Sequence, residues 1–250
     1  MLELKPPELL FPEIELPVLE LPTEDGVPLE TNWHRIEINL LVDSLHHHWR
    51  DQRDYFAGGN MFIYYSFEQV RNRDYRGPDF FVIKGVDGER DREAWIVWEE
   101  KGRYPNLIVE LSSPTTRDVD LGPKKELYEQ TFRTPEYFCY DPDQKRLMGW
   151  RLGDGQYLEL EPNERGWLWS KELNLWLGTW EGEYLRITAT WLRFHTAEGE
   201  LVLTGEEAAR AEAEAERRRA QQERRRAEQA EERARRLEEQ LQALGAEPEE

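Results

Sequence analysis

One acidic residue inside an apolar run constrains this chain more than any other feature. The run is Leu107-Ile108-Val109-Glu110-Leu111-Ser112. A strand points alternate residues to opposite faces, so Leu107, Val109 and Leu111 share one side and Ile108, Glu110 and Ser112 the other. An ionised glutamate there is costly unless something cationic meets it. A second apolar run, Phe80 to Ile83, follows directly on Pro78-Asp79, and Asp79 poses the same problem. A divalent cation held by both carboxylates would solve the two at once, and such oxygen ligands suit Mg²⁺, with Mn²⁺ possible. Lys124, expected in the first turn of a helix capped by Asp120 or Gly122, would then orient a water or stabilise a developing negative charge.

Four motifs extend this stretch in order: PDFFVI, LIVELSSPTTRDVD, a KKELY helix and PEYFCYDP. Together they resemble the PD-(D/E)xK nuclease superfamily and, more closely, the Uma-two family of restriction-endonuclease-like proteins, over roughly residues 31 to 195. The resemblance implies an α/β domain, a mixed sheet flanked by helices. It also implies Mg²⁺-dependent hydrolysis of nucleic-acid phosphodiester bonds, DNA foremost, with Asp79 and Glu110 as metal ligands and the Leu111 carbonyl assisting. The lysine that the superfamily places two residues after the glutamate is Ser112 here, which would donate a hydrogen bond near the metal. The family's D-x-x-x-K-x-x-x-Y spacing falls on Asp120, Lys124 and Tyr128, with Tyr128 supporting Lys124. Lys125 is one residue out of that register and close enough to compete. Many superfamily members add a glutamate from the first helix, a role open to Glu37; the plainer reading is a solvated helix glutamate.

At 250 residues, with 38% apolar and 12% aromatic content, the chain can bury one substantial core. Tryptophans from Trp33 to Trp191 mark one packed domain, residues 31–204. Before it, Pro6, Pro7, Pro12, Pro17, Pro22, Gly26 and Pro28 give residues 1–30 the character of an acidic extended arm or a partly disordered leader. After it, residues 205–250 read as a charged helix. Ala213, Ala220, Ala227, Ala234 and Leu241 recur every seven residues, with Glu216, Glu223, Ala230, Leu237 and Leu244 as companions. The second half therefore has a coiled-coil seam and the first does not, which makes homo-oligomerisation plausible; the alternative is a solvated helix held by Glu–Arg pairs.

Thr31 or Asn32 can cap a helix running to about Trp49, with His34 near the cap. His46, His47 and His48 splay over about 200 degrees of such a helix, too far to share one ion. Short strands are expected at Tyr55–Phe56, Met61–Tyr65, Trp95–Trp98, Glu136–Tyr140, Leu147–Leu152, Gln156–Leu160, Trp167–Trp169, Leu175–Trp180 and Tyr184–Ile187. Those after residue 147 should extend the sheet and cover one face of the core.

A net charge of -19 removes any global basic field for nucleic acid. A nuclease would need a local patch, for which Arg71, Arg73, Arg76, Lys84 and Lys101 are candidates; equally, they balance nearby acids. The single cysteine, Cys139, allows no internal disulfide, no run approaches a membrane span, and the N-terminus does not read as a signal peptide. The expectation is a cytoplasmic protein. Two other functions fit the same residues: a nuclease-like binding module without turnover, and an assembly protein acting through its coiled-coil tail.

Overall fold

A computed structural model describes residues 31–72 and 77–243. The expected N-terminal arm, Arg73 and Arg76 of the basic group, and Leu244 of the seam lie outside the described residues.

Helix α1 (Asn32–His48) begins where expected, because Thr31 has extended backbone and its hydroxyl accepts from the His34 N–H at 3.3 Å. Strands β1 (Tyr55–Gly58) and β2 (Ile63–Tyr64) and helix α2 (Phe67–Asn72) follow. Next come β3 (Phe80–Lys84), β4 (Trp95–Ile96) and β5 (Leu107–Leu111). The strands foreseen at Met61–Tyr65 and Trp95–Trp98 shrink to two residues each and pair in parallel as β2 and β4.

The main sheet adds β6 (Glu136–Asp141), β7 (Arg146–Gly153) and β8 (Gln156–Glu159), in the order β1-β3-β5-β6-β7-β8. Only β5 and β6 run parallel within it. A parallel pair needs a crossover, and that crossover carries the helical segment beside the candidate site. It comprises α3 (Arg117–Val119), a π-helical turn (Asp120–Lys124) and α4 (Lys125–Gln130). The helix thus starts earlier than the sequence suggested, with Asp120 inside it rather than capping it, and Lys124 is not in a first turn. Pro123 explains the wide turn: it has no N–H to donate and its ring crowds the carbonyl four residues back, so the ladder loosens there instead of ending.

The pleat of β5 follows the alternation. Leu107, Val109 and Leu111 face a core shared with α1 and a second sheet, whereas Ile108 packs with Tyr128, Phe132, Tyr137 and Cys139 on the other face. The second sheet, β9 (Leu168–Ser170), β10 (Leu175–Tyr184) and β11 (Ile187–His195), has the order β11-β10-β9. These strands cover the core, as expected, but as a separate sheet; only β7 and β8 extend the main one. The strand expected at Tyr184–Ile187 is a hairpin turn. Leu185 and Arg186 adopt φ of 46° and 66° between the paired Tyr184 and Ile187. Neither is a usual residue for that conformation, so no turn signal marked the site.

Helix α5 (Gly205–Ala243) is fastened at its start by a reciprocal cap. Thr204 Oγ1 accepts from the Glu207 N–H at 3.1 Å, and Glu207 Oε2 accepts from the Thr204 N–H at 2.8 Å. Arg193 of β11 also pairs with Glu207 at 2.7 Å.

Candidate active site

The β3–β5 register builds the centre of the site. Phe80 pairs with Val109 in an antiparallel ladder, so Asp79, one residue before β3, falls opposite Glu110. Asp79 Oδ2 accepts from the Leu111 N–H at 2.7 Å, which turns its carboxyl toward β5. Glu110 Oε2 in turn accepts from the Asp79 N–H at 3.4 Å, which brings the two carboxyls side by side. Glu110 is fully buried on the face toward α4.

The crossover supplies the remaining groups. Lys124 Nζ donates to Glu110 Oε2 at 3.0 Å and lies 2.9 Å from Asp120 Oδ1. Tyr128, one turn further on, donates its hydroxyl to Glu110 Oε1 at 2.7 Å. Ser112 Oγ donates to Asp120 Oδ2 at 2.8 Å and sits 2.9 Å from Cys139 Sγ. Ser112 therefore anchors the π turn through Asp120. Lys125 turns away, its ammonium 4.4 Å from the centre of the Trp150 ring.

Three carboxylates thus surround one ammonium. Burial, and after it the neighbouring acids, push the Glu110 carboxyl up to about 8 against the relief that Lys124 gives. Burial likewise raises Asp79. Burial works against the Lys124 ammonium, but Glu110, Asp120 and Asp79 outweigh it and hold the lysine protonated. Surplus negative charge of this kind is what a bound cation relieves.

Among the described residues no three His, Cys, Asp or Glu side chains converge on a metal position. The oxygen donors that lie together are two carboxyls, Asp79 and Glu110. Hard oxygens with surplus charge fit a Mg²⁺ ion, which characteristically takes one or two protein carboxylates and keeps waters and substrate oxygens for the rest. The Leu111 carbonyl already lies 3.1 Å from His34 Nε2, leaving its second lone pair. Sequence reasoning placed His34 only near the helix cap; its reach to the end of β5 depends on how α1 packs and has no local signal.

Glu37 occupies neither of its expected positions. It is fully buried, and Oε2 accepts from the Leu192 N–H of β11 at 3.2 Å. Burial raises its pKa well above the usual range, with Arg193 nearby. The described part of the basic group is not assembled either. Lys84 ends β3 at the strand's far end from Asp79 and pairs with Glu172 at 2.6 Å, while Arg71 and Lys101 are exposed. An open groove of about 1100 Å³ lies beyond the end of β5, lined in part by Trp33, His34, Ser112, Ser113 and Thr190. Among the described residues no helix is long and apolar enough to cross a membrane.

Residues 25–190 match the family model described as "Uma2: Putative restriction endonuclease". No curated protein matches the chain. Among solved structures it is similar to that of a putative nuclease belonging to DUF820 from Anabaena variabilis ATCC 29413. The two share 15% identity at a TM-score of 0.42, covering 58% of this chain and 76% of the other.

Proposed function

The chain belongs to the Uma2 family of putative restriction endonucleases, and from that premise we propose that it hydrolyses nucleic-acid phosphodiester bonds, DNA foremost, with Mg²⁺ (or Mn²⁺) held by Asp79 and Glu110. The observation that carries the reading is the convergence of Asp79, Glu110 and Lys124 across β3, β5 and the crossover helix. When bound, the ion supplies charge neutralisation at the phosphate and acidifies water. The chain's own residues do the rest. Asp79 is aimed by the Leu111 N–H, and Glu110 is oriented by Tyr128. Lys124 places a positive charge beside the carboxylate pair, where negative charge develops on a phosphate under attack. Ser112, through Asp120, positions the lysine.

One observation favours a second reading, binding without turnover. Both Glu110 oxygens already accept hydrogen bonds, from Tyr128 and Lys124, so the network closes with protein groups alone. Cleavage assays on plasmid, single-stranded DNA and RNA, with Mg²⁺, Mn²⁺ or a chelator, decide between them. Hydrolysis that needs the metal and disappears in Asp79→Asn and Glu110→Gln is the expected result. Retention of nucleic acid without cleavage under every condition would establish the binding module instead.

A further inference from the structure

We propose that the second half of α5 joins two copies of this chain as a parallel two-stranded coiled coil, its orientation fixed by Arg226 and Arg233 of one copy facing Glu231 and Glu238 of the other. The seam is Ala227, Ala230, Ala234, Leu237 and Leu241, spaced alternately three and four residues apart on one side of the helix. Leu237 and Leu241 are 58% and 51% exposed, the largest apolar side chains that α5 leaves in water.

The charges bordering the seam choose the partner and its direction. In a parallel pair, the residue just before one seam position faces the partner residue five places further along. Arg226 then meets Glu231, and Arg233 meets Glu238, twice each by symmetry. In an antiparallel pair the arginines would face arginines and the glutamates glutamates. Five ion pairs form within the helix, Arg210–Glu206, Arg218–Glu214, Arg224–Glu228, Arg235–Glu239 and Arg236–Glu232, and none of them uses the charges that border the second-half seam. Among the described residues Arg226, Glu231, Arg233 and Glu238 take part in no ion pair, so their charges are available to a second copy.

The same rule stops the contact from spreading. Glu216 and Glu223 occupy seam positions in the first half, and Arg219 would face Arg224 of the partner. The first half therefore stays apart while the second half closes. Each helix is tied to its own domain through Arg193–Glu207, so the parallel arrangement puts both domains at the same end of the rod. A seam this short and alanine-rich gives a weak, concentration-dependent dimer.

Sedimentation of the full chain over a range of concentrations, beside charge-reversed variants, tests this. The wild type should approach a dimer on concentration. R226E/R233E should raise the apparent dissociation constant at least about tenfold, because four exposed attractions become repulsions. Adding E231R/E238R to that variant should restore association. Leu237→Cys should form a disulfide-linked dimer on mild oxidation, with little background because Cys139 is buried in the core. A monomer at every concentration together with no Leu237→Cys cross-link would overturn the proposal. So would dimers that R226E/R233E leaves as tight as before, since an antiparallel pair only exchanges one repulsion for another, and so would a trimer mass.

Discussion

Lys124 Nζ lies 3.0 Å from Glu110 Oε2, joining the middle of a buried strand to a π turn fourteen residues later. Lys124 is 19% exposed and its partner fully buried, so removing the ammonium deprives a buried carboxyl of a hydrogen-bond donor and of the charge that favours its ionised form. Lys124→Ala should abolish metal-dependent cleavage and cost about 2–4 kcal/mol of stability at neutral pH. Lys125→Ala removes only a contact with Trp150 and should cost about 0.5–1 kcal/mol while preserving cleavage. Urea denaturation beside a cleavage assay separates the two. Inactivation by Lys125→Ala with full activity in Lys124→Ala would reverse the assignment of the lysine.

Much of this arrangement was legible in the sequence, and the rest fails for identifiable reasons. The alternation in Leu107–Ser112 gave the faces of β5, and the spacing of Lys124 and Tyr128 placed those two groups on one side of a helix, whereas Asp120 was expected as its cap. Where that helix begins was not legible, because Gly122-Pro123 reads locally as a start and only packing shows it to be a widened turn. Glu37 could not be resolved either. Its position on α1 is compatible with solvent or with the carboxylate pair, and contact with Leu192, distant in sequence, decides against both. The break between β10 and β11 was missed because Leu185-Arg186 carries none of the residues that favour positive φ.

Tyr128→Phe tests the other hydrogen bond to Glu110. The ring stays packed against Phe132 and Tyr137, but Glu110 Oε1 loses its donor. The unsatisfied buried acceptor should cost about 1–3 kcal/mol. Denaturation should register this while the far-ultraviolet circular dichroism stays unchanged. Wild-type stability in the variant would mean that Glu110 finds another donor.

The β10–β11 turn offers a stabilising change. Leu185 and Arg186 both hold positive φ, and Leu185 is 59% exposed, so neither repays its strain by burial. Asn-Gly suits such a two-residue turn. Leu185→Asn with Arg186→Gly should gain about 0.5–1 kcal/mol, seen as a higher Tm in calorimetry. A lower Tm would show that the native pair makes contacts worth more than the relief.

His195 sets an acid limit on stability. Its ring stacks on Trp167 with centroids 3.8 Å apart. Burial first, then the charges of Arg193 and Arg165, push its pKa from 6.5 down to about 4. Between those values the unfolded chain binds the proton and the folded chain does not, so stability rises with pH across the window. The contribution of neutral His195 is therefore complete above about pH 6.5 and disappears as the pH falls through about 4. Its size is about 1–3 kcal/mol, allowing for partial solvent screening. His195→Phe keeps an aromatic ring against Trp167 and removes the titration. Unfolding free energies measured from pH 7 to pH 4 should therefore fall less steeply for the variant than for the wild type, and parallel curves would show that His195 takes up its proton alike in the folded and unfolded chain.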